Sequence, residues 1–181
     1  MERRNAWLSY TEAEEKELEQ VAKAYRNFLN VGKTERECVT QIIREARAAG
    51  YESLEEKTAK GEKLKAGDKV YTVGMKKIIA LFHIGQDDIS EGMNILGAHI
   101  DSPRLDVKQN PLYEDTDLAY LDTHYYGGVK KYQWVTIPLA IHGVVVKKDG
   151  TVVPVVIGEK EDDPVFVISD LLIHLSQDQL E

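Results

Sequence analysis

The fold of this chain turns on the stretch Asn94-Ile95-Leu96-Gly97-Ala98-His99-Ile100-Asp101-Ser102-Pro103-Arg104. It is an apolar run that ends in a histidine and an aspartate two residues apart and then meets the turn-forming pair Ser-Pro. A run of this length bounded by turn residues predicts a buried β-strand. Successive strand side chains point to opposite faces, so the prediction places His99 and Asp101 on one face at the strand's end.

The His-x-Asp pair carries the chemistry of this stretch. Strand ends in α/β sheets are where ligands and catalytic groups gather. A neutral imidazole suits a zinc ion, and a neighbouring carboxylate can orient that imidazole. A purely structural hydrogen-bonded pair has the same sequence, so the pair alone leaves both interpretations open.

Composition narrows the class of protein. The 181 residues are 43% hydrophobic and 30% charged, with a formal net charge of -8. This balance indicates a soluble globular protein and argues against nucleic acid or an anionic membrane as the main partner. The single cysteine, Cys38, excludes an intramolecular disulfide and a Cys-rich zinc site, and we predict that it is a small packing residue. The chain shows neither a signal-peptide pattern nor a transmembrane stretch, which predicts a cytoplasmic protein.

Two amphipathic helices are predicted before residue 50. Thr11 with Glu14, and Thr34 with Glu37, have the spacing of a capping box. Apolar residues recur at helical spacing after each box, with charged residues between them. Gly50 is the predicted C′ residue of the second helix.

Most of the remaining chain up to residue 143 has the sequence pattern of β-strands. We predict a surface connection over residues 51–68, and an antiparallel strand pair over 70–73 and 78–82. After Arg104 the pattern becomes β-rich, with a break at Asn110-Pro111 and a strand-like segment over 133–143.

The end of the chain predicts a hairpin and a helix. Residues 144–148 and 151–157 form the plainest hairpin pattern, with Asp149-Gly150 as a type I′ turn. A Ser-Asp cap then predicts a helix from Leu171 nearly to the end of the chain. Three histidines, His83, His142 and His174, have spacings that favour structural roles.

Several separated stretches together resemble one family. In order they are His99 to Leu105 followed by Lys108-x-Asn110-Pro111, then Tyr126-Gly127-Gly128, then Gln133-Trp134-Val135, then Ile168 to Leu175. This ordered set resembles the aspartyl aminopeptidase and vacuolar aminopeptidase I family of zinc metallopeptidases. The match covers essentially the whole chain, and the ordered set is far more specific than any single motif.

The resemblance implies an α/β fold in two parts. Residues 1–102 would be the N-terminal part of a zinc-peptidase-like catalytic α/β domain, and residues 103–181 an incomplete, inserted β-rich dimerisation domain. It implies a metallo-aminopeptidase that removes N-terminal amino acids from peptides through a metal-activated water at a two-metal site. The metal would be Zn²⁺, with Co²⁺ or Mn²⁺ as alternatives. It also implies a homo-oligomer whose dimers assemble into a dodecamer.

The resemblance also assigns roles residue by residue. His99 corresponds to the family's first metal ligand, and Asp101 to the aspartate that orients it and counts as catalytic in related peptidases. His174 corresponds to a histidine of the inserted domain with two alternative roles, metal ligand or substrate binding in a neighbouring subunit's pocket. Tyr126, Gly127 and Gly128 match a motif that we interpret as structural.

One departure from the family limits what this chain is expected to do alone. Family members run to more than twice this length, and the bridging carboxylate, the general-base glutamate and the last histidine match no position here. The chain therefore resembles an N-terminal portion, expected to be inactive alone and to expose apolar surface. The alternative is a non-catalytic, truncated folding or oligomerisation fragment. A different co-catalytic zinc hydrolase would explain His-x-Asp but not the Tyr-Gly-Gly and Leu-x-x-His-Leu segments.

Overall fold

The computed structural model describes residues 5–177. The chain divides into two compact units, Met1–Ile100 (unit 1) and Asp101–Glu181 (unit 2). This division lies two residues before the boundary expected from the sequence. That the units are a catalytic and a dimerisation domain stays a prediction.

Unit 1 begins with the two predicted helices, α1 (Glu12–Val31) and α2 (Glu35–Ala48). The capping box of α1 is confirmed: the Thr11 hydroxyl accepts a hydrogen bond from the backbone N–H of Glu14. The Thr11 N–H in turn donates to the Glu14 carboxylate at 2.7 Å. The backbone N–H groups of Thr11 and Glu14, at the start of the helix, thereby both have side-chain acceptors.

The end of α2 is also as predicted. Gly50 has φ of +85°, a left-handed conformation that glycine adopts without steric cost. The N–H of Gly50 donates to the Arg47 carbonyl at 3.0 Å and that of Tyr51 to the Ala46 carbonyl at 2.9 Å. These two bonds form a Schellman motif, which closes the helix.

We expect Thr11→Ala to fray the start of α1 and to make the helicity of the chain less dependent on pH. Losing a threonine cap costs about 1 kcal/mol. The backbone N–H and hydroxyl of Thr11 hold the pKa of Glu14 below its usual value, so the cap stabilises the fold above pH 4.5. That contribution is lost as the pH falls through the lower folded pKa. Helicity followed by circular dichroism from pH 6 to 2 should show this loss in the parent and a smaller one in the variant. Thr40→Ala, in the exposed middle of α2, is the control, and equal curves for all three chains would contradict the prediction.

A three-stranded sheet completes unit 1. Its strands are β1 (Glu52–Ser53), β2 (Lys69–Gly74) and β3 (Ile78–His83), in the order β1-β2-β3. The predicted antiparallel pair is confirmed as β2 and β3, while β1 lies parallel to β2. Three residues connect β2 and β3, and the first two of them, Met75 and Lys76, have positive φ, as the central residues of a type I′ turn require. The turn is closed by the N–H of Lys77, which donates to the Gly74 carbonyl at 3.0 Å.

The predicted surface connection over residues 51–68 is wrong in its first half. It contains β1 and a short helix, α3 (Leu54–Ala59). The Ser53 hydroxyl caps α3 by accepting a hydrogen bond from the N–H of Glu56. This is the same Ser/Thr-x-x-Glu spacing that marks α1, hidden in a stretch rich in lysine and glutamate. Lys57, only 15% exposed, anchors the helix through ion pairs that include Glu52 at 2.8 Å.

The core of unit 1 is small and lies where α2 meets the sheet. Its buried apolar residues are Cys38, Val39, Ala46, Val70 and Tyr71. The Tyr71 hydroxyl accepts a hydrogen bond from Arg47 Nε at 2.8 Å. Cys38 is buried as a packing residue, and its burial is the main cause that raises the pKa of its thiol.

The stretch that ends in His-x-Asp is not a strand in this structure, which corrects the first expectation. Residues 92–103 have no regular secondary structure, and the side chains of Ile95 and Leu96 are 80% and 100% exposed. A strand forms only when a neighbour takes its backbone hydrogen bonds, and no strand within residues 5–177 pairs with this stretch. An apolar pattern alone therefore does not bury it.

Unit 2 is built from two antiparallel strand pairs. β4 (Arg104–Asp115) pairs with β5 (Leu118–Tyr126), and β6 (Ile141–Val146) pairs with β7 (Val152–Ile157). The β4–β5 hairpin was not predicted, because its two-residue turn, Thr116-Asp117, has positive φ without the usual glycine.

The sequence predicts a break at Asn110-Pro111. In the structure these two residues lie instead in a bulge of β4. The register shifts between Val107 and Leu112, so that residues 108–111 face Asp122 alone. A bulge tolerates proline because the ladder is already interrupted there. Lys108 Nζ spans the bulge to the Asp122 carboxylate at 3.0 Å.

Three other details of unit 2 differ from expectation. In the β6–β7 turn only Gly150 has positive φ, so Asp149-Gly150 is not a type I′ turn but the end of a type I turn closed by glycine. The predicted strand over 133–143 reduces to two isolated bridges before β6 begins. The predicted helix from Leu171 is only a 3-10 turn at Ile173–Leu175, since its first residues extend away without the hydrogen bonds of a helix. The end of that predicted helix, at 178–181, lies outside the described residues.

The chain exposes far more surface than a closed fold of its mass. Its accessible surface is 15591 Å². Two separate folded units of half its 20.5 kDa mass would together expose about 10,700 Å². Large apolar side chains contribute to this surface, among them Leu8, Met75, Ile95, Leu96 and Leu172. The prediction of exposed apolar surface is confirmed.

Within residues 5–177, no helix is both long enough and apolar enough to cross a bilayer.

Candidate functional site

His99 and Asp101 both lie in the irregular segment of residues 92–103. His99 is exposed, and Asp101 is partly exposed at the start of unit 2. Both side chains take part in interactions, so neither is an isolated group. Their roles as metal ligand and orienting carboxylate remain predictions from the resemblance.

Asp101 has a defined partner within unit 2. The hydroxyl of Tyr126 donates a hydrogen bond to Asp101 Oδ2 at 2.8 Å. Tyr126 is the last residue of β5 and pairs in register with Arg104, the first residue of β4. The antiparallel register therefore brings a residue 25 positions away to the aspartate of the His-x-Asp pair.

Arg104 packs against the same tyrosine. Its guanidinium carbon lies 4.2 Å from the centre of the Tyr126 ring, within the range of a cation–π contact. Arg104 Nε also donates to the Asp106 carboxylate at 2.7 Å, which holds the guanidinium over the ring. Asp101, Tyr126, Arg104 and Asp106 thus form one connected cluster, which we call the Asp101 cluster.

Gly127 shapes the chain directly after Tyr126. Its φ is +77°, and a Cβ built on it would lie 3.4 Å from the Cα of Pro103. This distance is an ordinary contact, so the positive φ is what favours glycine here. The Tyr-Gly-Gly motif and the Ser-Pro step after Asp101 therefore lie against each other within unit 2.

We expect Gly127→Ala to destabilise unit 2 by about 1–2 kcal/mol, because an L-residue resists a left-handed conformation. Urea unfolding followed by the fluorescence of Trp134, which lies in unit 2, measures the change. Gly128→Ala is a matched control, since Gly128 has no positive φ and open space at its Cβ position. Equal unfolding midpoints for the two variants would contradict the prediction.

His174 lies in the 3-10 turn near the end of the described residues and is exposed. Its apolar neighbours Ile173 and Leu175 are also exposed, each 68%. An exposed histidine is compatible with both roles that the resemblance allows. The structure therefore leaves both alternatives open.

Two motif segments of the resemblance meet in space. Val135 and Ile168 form a parallel bridge, which joins the Gln-Trp-Val segment to the segment that carries His174. A pocket with a volume of about 530 Å³ lies beside this bridge, and its lining is mostly apolar and aromatic. Its lining includes Leu105, Tyr125, Tyr132, Trp134, Asp170 and Leu171. Some of the motifs that carry the resemblance therefore pack against one another in unit 2.

Two further histidines, His83 and His142, lie on strands, as their spacing predicts. His142 Nε2 lies 2.9 Å from Glu159 Oε1, an ion pair when the imidazole is protonated. His83 ends β3 at the exposed edge of the unit 1 sheet, opposite Lys69.

The described residues do not by themselves fit a zinc ion. Catalytic zinc takes about three protein ligands. Among residues 5–177, no three side chains of histidine, cysteine, aspartate or glutamate come together where they could hold a metal. His99 and Asp101 have the right donor chemistry for part of such a site.

A model of one protein family matches most of the chain. The family of aminopeptidase I zinc metalloproteases (M18) matches residues 28–181. This match includes every motif on which the resemblance rests.

Individual relatives match along the whole chain. A probable M18 family aminopeptidase 1 of Clostridium acetobutylicum is 58% identical over 180 residues, which cover 99% of this chain and 39% of that protein. The crystal structure of aminopeptidase I from the same organism matches with a TM-score of 0.83, covering 100% of this chain and 40% of that one. The M18 aminopeptidase structure from Thermotoga maritima, 46% identical, has a TM-score of 0.86 and covers 98% and 38%.

The chain thus spans about two-fifths of the length of the relatives it matches. Its mixed α/β architecture is that of the matching part of their structures. It belongs to the aminopeptidase I zinc metalloprotease (M18) family.

Proposed function

We propose that this protein acts as a metallo-aminopeptidase, which removes N-terminal residues from peptides. The observation that carries the proposal is its membership of the M18 family, in which the His99-x-Asp101 pair falls inside the matched region. In this proposal, Asp101 orients the imidazole of His99, and His99 is one ligand of the metal.

The metal in this proposal is zinc, which the family's name supports. The family resemblance favours two ions per site, with Co²⁺ or Mn²⁺ as alternatives. Since residues 5–177 bring no three ligands together, the remaining ligands and the general base would come from outside them. His174 would either complete a metal site or bind substrate in a neighbouring subunit.

A hybrid protein tests the proposal. It joins residues 1–181 of this chain to the part of the Clostridium acetobutylicum relative that follows the 180 matched residues. We expect the hybrid to release N-terminal amino acids from aminoacyl p-nitroanilides and short peptides, and to lose this activity with a chelator. A folded, zinc-loaded hybrid without turnover would contradict the proposal, provided that the relative itself is active in the same assay.

The alternative is a non-catalytic folding or oligomerisation module. The absence of a metal-binding group among residues 5–177 favours it for the isolated chain. Under this alternative the 181-residue chain has no peptidase activity with any added metal, yet associates with itself or with the missing part of the relative. Turnover by the isolated chain would exclude it.

We also propose a cytoplasmic homo-oligomer built from dimers, up to the dodecamer that the family resemblance implies. The accessible surface, well above that of two closed units, supports association, because exposed apolar surface of this extent favours burial against another chain. Light scattering on the hybrid tests the oligomer, and a stable monomer at micromolar concentration would contradict it.

A further inference from the structure

We propose that Tyr126 is a positioning residue, which, braced by Arg104, holds the carboxylate of Asp101 in one orientation. The inference rests on the proposed function and deepens it. It assigns a role to a motif, Tyr-Gly-Gly, that the sequence marks only as structural.

The first step is the hydrogen bond itself. The Tyr126 hydroxyl donates to Asp101 Oδ2 at 2.8 Å, a normal length for a bond to a carboxylate. Hydrogen bonds to charged acceptors are about twice as strong as neutral ones. Because one oxygen is engaged from a fixed direction, rotation of the carboxylate is restricted and the direction of Oδ1 is defined.

The second step is the rigidity of the donor. Tyr126 lies on β5, directly opposite Arg104 on β4, so the strand register sets the position of its backbone. The guanidinium of Arg104 covers one face of the ring at 4.2 Å and is itself held by Asp106 at 2.7 Å. The hydroxyl therefore reaches Asp101 from a side chain that is fixed at both its base and its ring.

The third step is the path of the backbone around the pair. Pro103, two residues after Asp101, lies against Gly127, the residue after Tyr126. The two chain segments that carry the hydrogen bond are therefore in contact beside it. This second contact keeps the hydroxyl and the carboxylate in register, and the positive φ of Gly127 is what directs the chain along this path.

The consequence concerns the orienting role proposed for Asp101. An aspartate can fix the ring of a ligating histidine only if its own carboxylate is held. Groups that position a ligand in this way typically contribute about 10–100-fold to metal affinity or activity. Tyr126 acts one bond further out, so we expect its hydroxyl to contribute about tenfold.

The first arm of the test measures the contact in the 181-residue chain. Tyr126→Phe removes only the hydroxyl. Because this hydrogen bond is exposed, we expect a contribution near the upper end of the range for ordinary hydrogen bonds, so Tyr126→Phe should raise the unfolding constant of unit 2 about five- to tenfold, followed by Trp134 fluorescence in urea in a Trp7→Phe background. In an Asp101→Ala background, which removes the acceptor, the same change should raise it less than twofold. Equal effects in both backgrounds would overturn the inference.

The second arm measures the role in the hybrid at saturating zinc. We expect Tyr126→Phe to lower kcat about tenfold with KM within twofold, with kcat calculated per folded, zinc-loaded hybrid so that a loss of folded protein does not count as a loss of kcat. Tyr113→Phe is the matched control, since Tyr113 lies on the same hairpin, stacked on Tyr120 and remote in sequence from Asp101. In the Asp101→Ala hybrid, which has no acceptor for the hydroxyl, Tyr126→Phe should cause no further loss, because the tyrosine acts through that carboxylate.

The outcomes separate this inference from the proposed function. An inactive parent hybrid contradicts the proposed function, and the positioning role falls with it, even when the first arm finds the contact. An active parent in which Tyr126→Phe behaves like Tyr113→Phe overturns only the inference. A Tyr126→Phe loss that adds fully to that of Asp101→Ala also overturns it, because the tyrosine would then act independently.

Discussion

Replacing His99 with alanine in the hybrid should lower kcat/KM on aminoacyl substrates by about 1,000-fold or more. Groups that only orient a metal ligand contribute about 10–100-fold, so the loss of a ligand itself should cost more. Its stability should change little, because His99 is exposed and lies in a segment without regular secondary structure. The measurement pairs steady-state kinetics with the zinc content of the purified hybrid, which should fall in the variant.

His83→Ala is the control for this experiment. His83 is also an exposed histidine of unit 1, but it lies at the end of β3, where nothing assigns it to the site. The control should keep the activity and zinc content of the parent. If His99→Ala also keeps them, His99 is not a ligand, and the assignment that the resemblance makes is wrong.

The sequence predicts the helices of unit 1 well because their signals are local. Thr11 and Thr34 each lie three residues before a glutamate, and Gly50 follows the second apolar pattern, so that caps and termini can be assigned without knowing the fold. The error at α3 has the same origin. Ser53 and Glu56 give the same signal, but the charged residues around them indicate a loop.

The strand predictions succeed or fail according to how far away the partner lies. β2 and β3 are joined by a three-residue connection, so that each supplies the neighbour the other needs. The stretch before Asp101 has the apolar pattern of a buried strand but no partner within residues 5–177. Periodicity reports which residues could be buried, whereas burial itself depends on what lies beside them.

The candidate site also has a part that the local sequence reveals and a part that depends on residues distant in sequence. His99 and Asp101 are recognisable because they are two residues apart and fall in an ordered set of motifs. The contact between Asp101 and Tyr126 depends on the register of β4 with β5, which includes a bulge at Asn110-Pro111. No local pattern encodes that register. Only a predicted β4–β5 hairpin that pairs Arg104 with Tyr126 would reveal the contact between Asp101 and Tyr126 from the sequence.

The second large effect is expected at Val70, the most deeply buried side chain of the described residues, with 0% exposure. It lies on the central strand of the unit 1 sheet, between Glu52 of β1 and Phe82 of β3. Val70→Asp places an unpaired carboxylate in this core, which costs about 3–5 kcal/mol. Because the buried apolar core of unit 1 is small, we expect its stability to lie at the lower end of the about 5–15 kcal/mol typical of small domains, and this loss to leave it largely unfolded at 37 °C.

Two spectroscopic signals distinguish the units in this experiment. All three α-helices of the described residues lie in unit 1, so the circular dichroism at 222 nm follows that unit. Trp134 fluorescence, in a Trp7→Phe background, follows unit 2. Val70→Asp should abolish the cooperative transition at 222 nm while that of Trp134 persists. Ile78→Asp, at a position 61% exposed on β3, should leave both transitions in place, because its carboxylate stays in water. A Val70→Asp chain with the 222 nm midpoint of Ile78→Asp would mean that the core of unit 1 is not centred on β2.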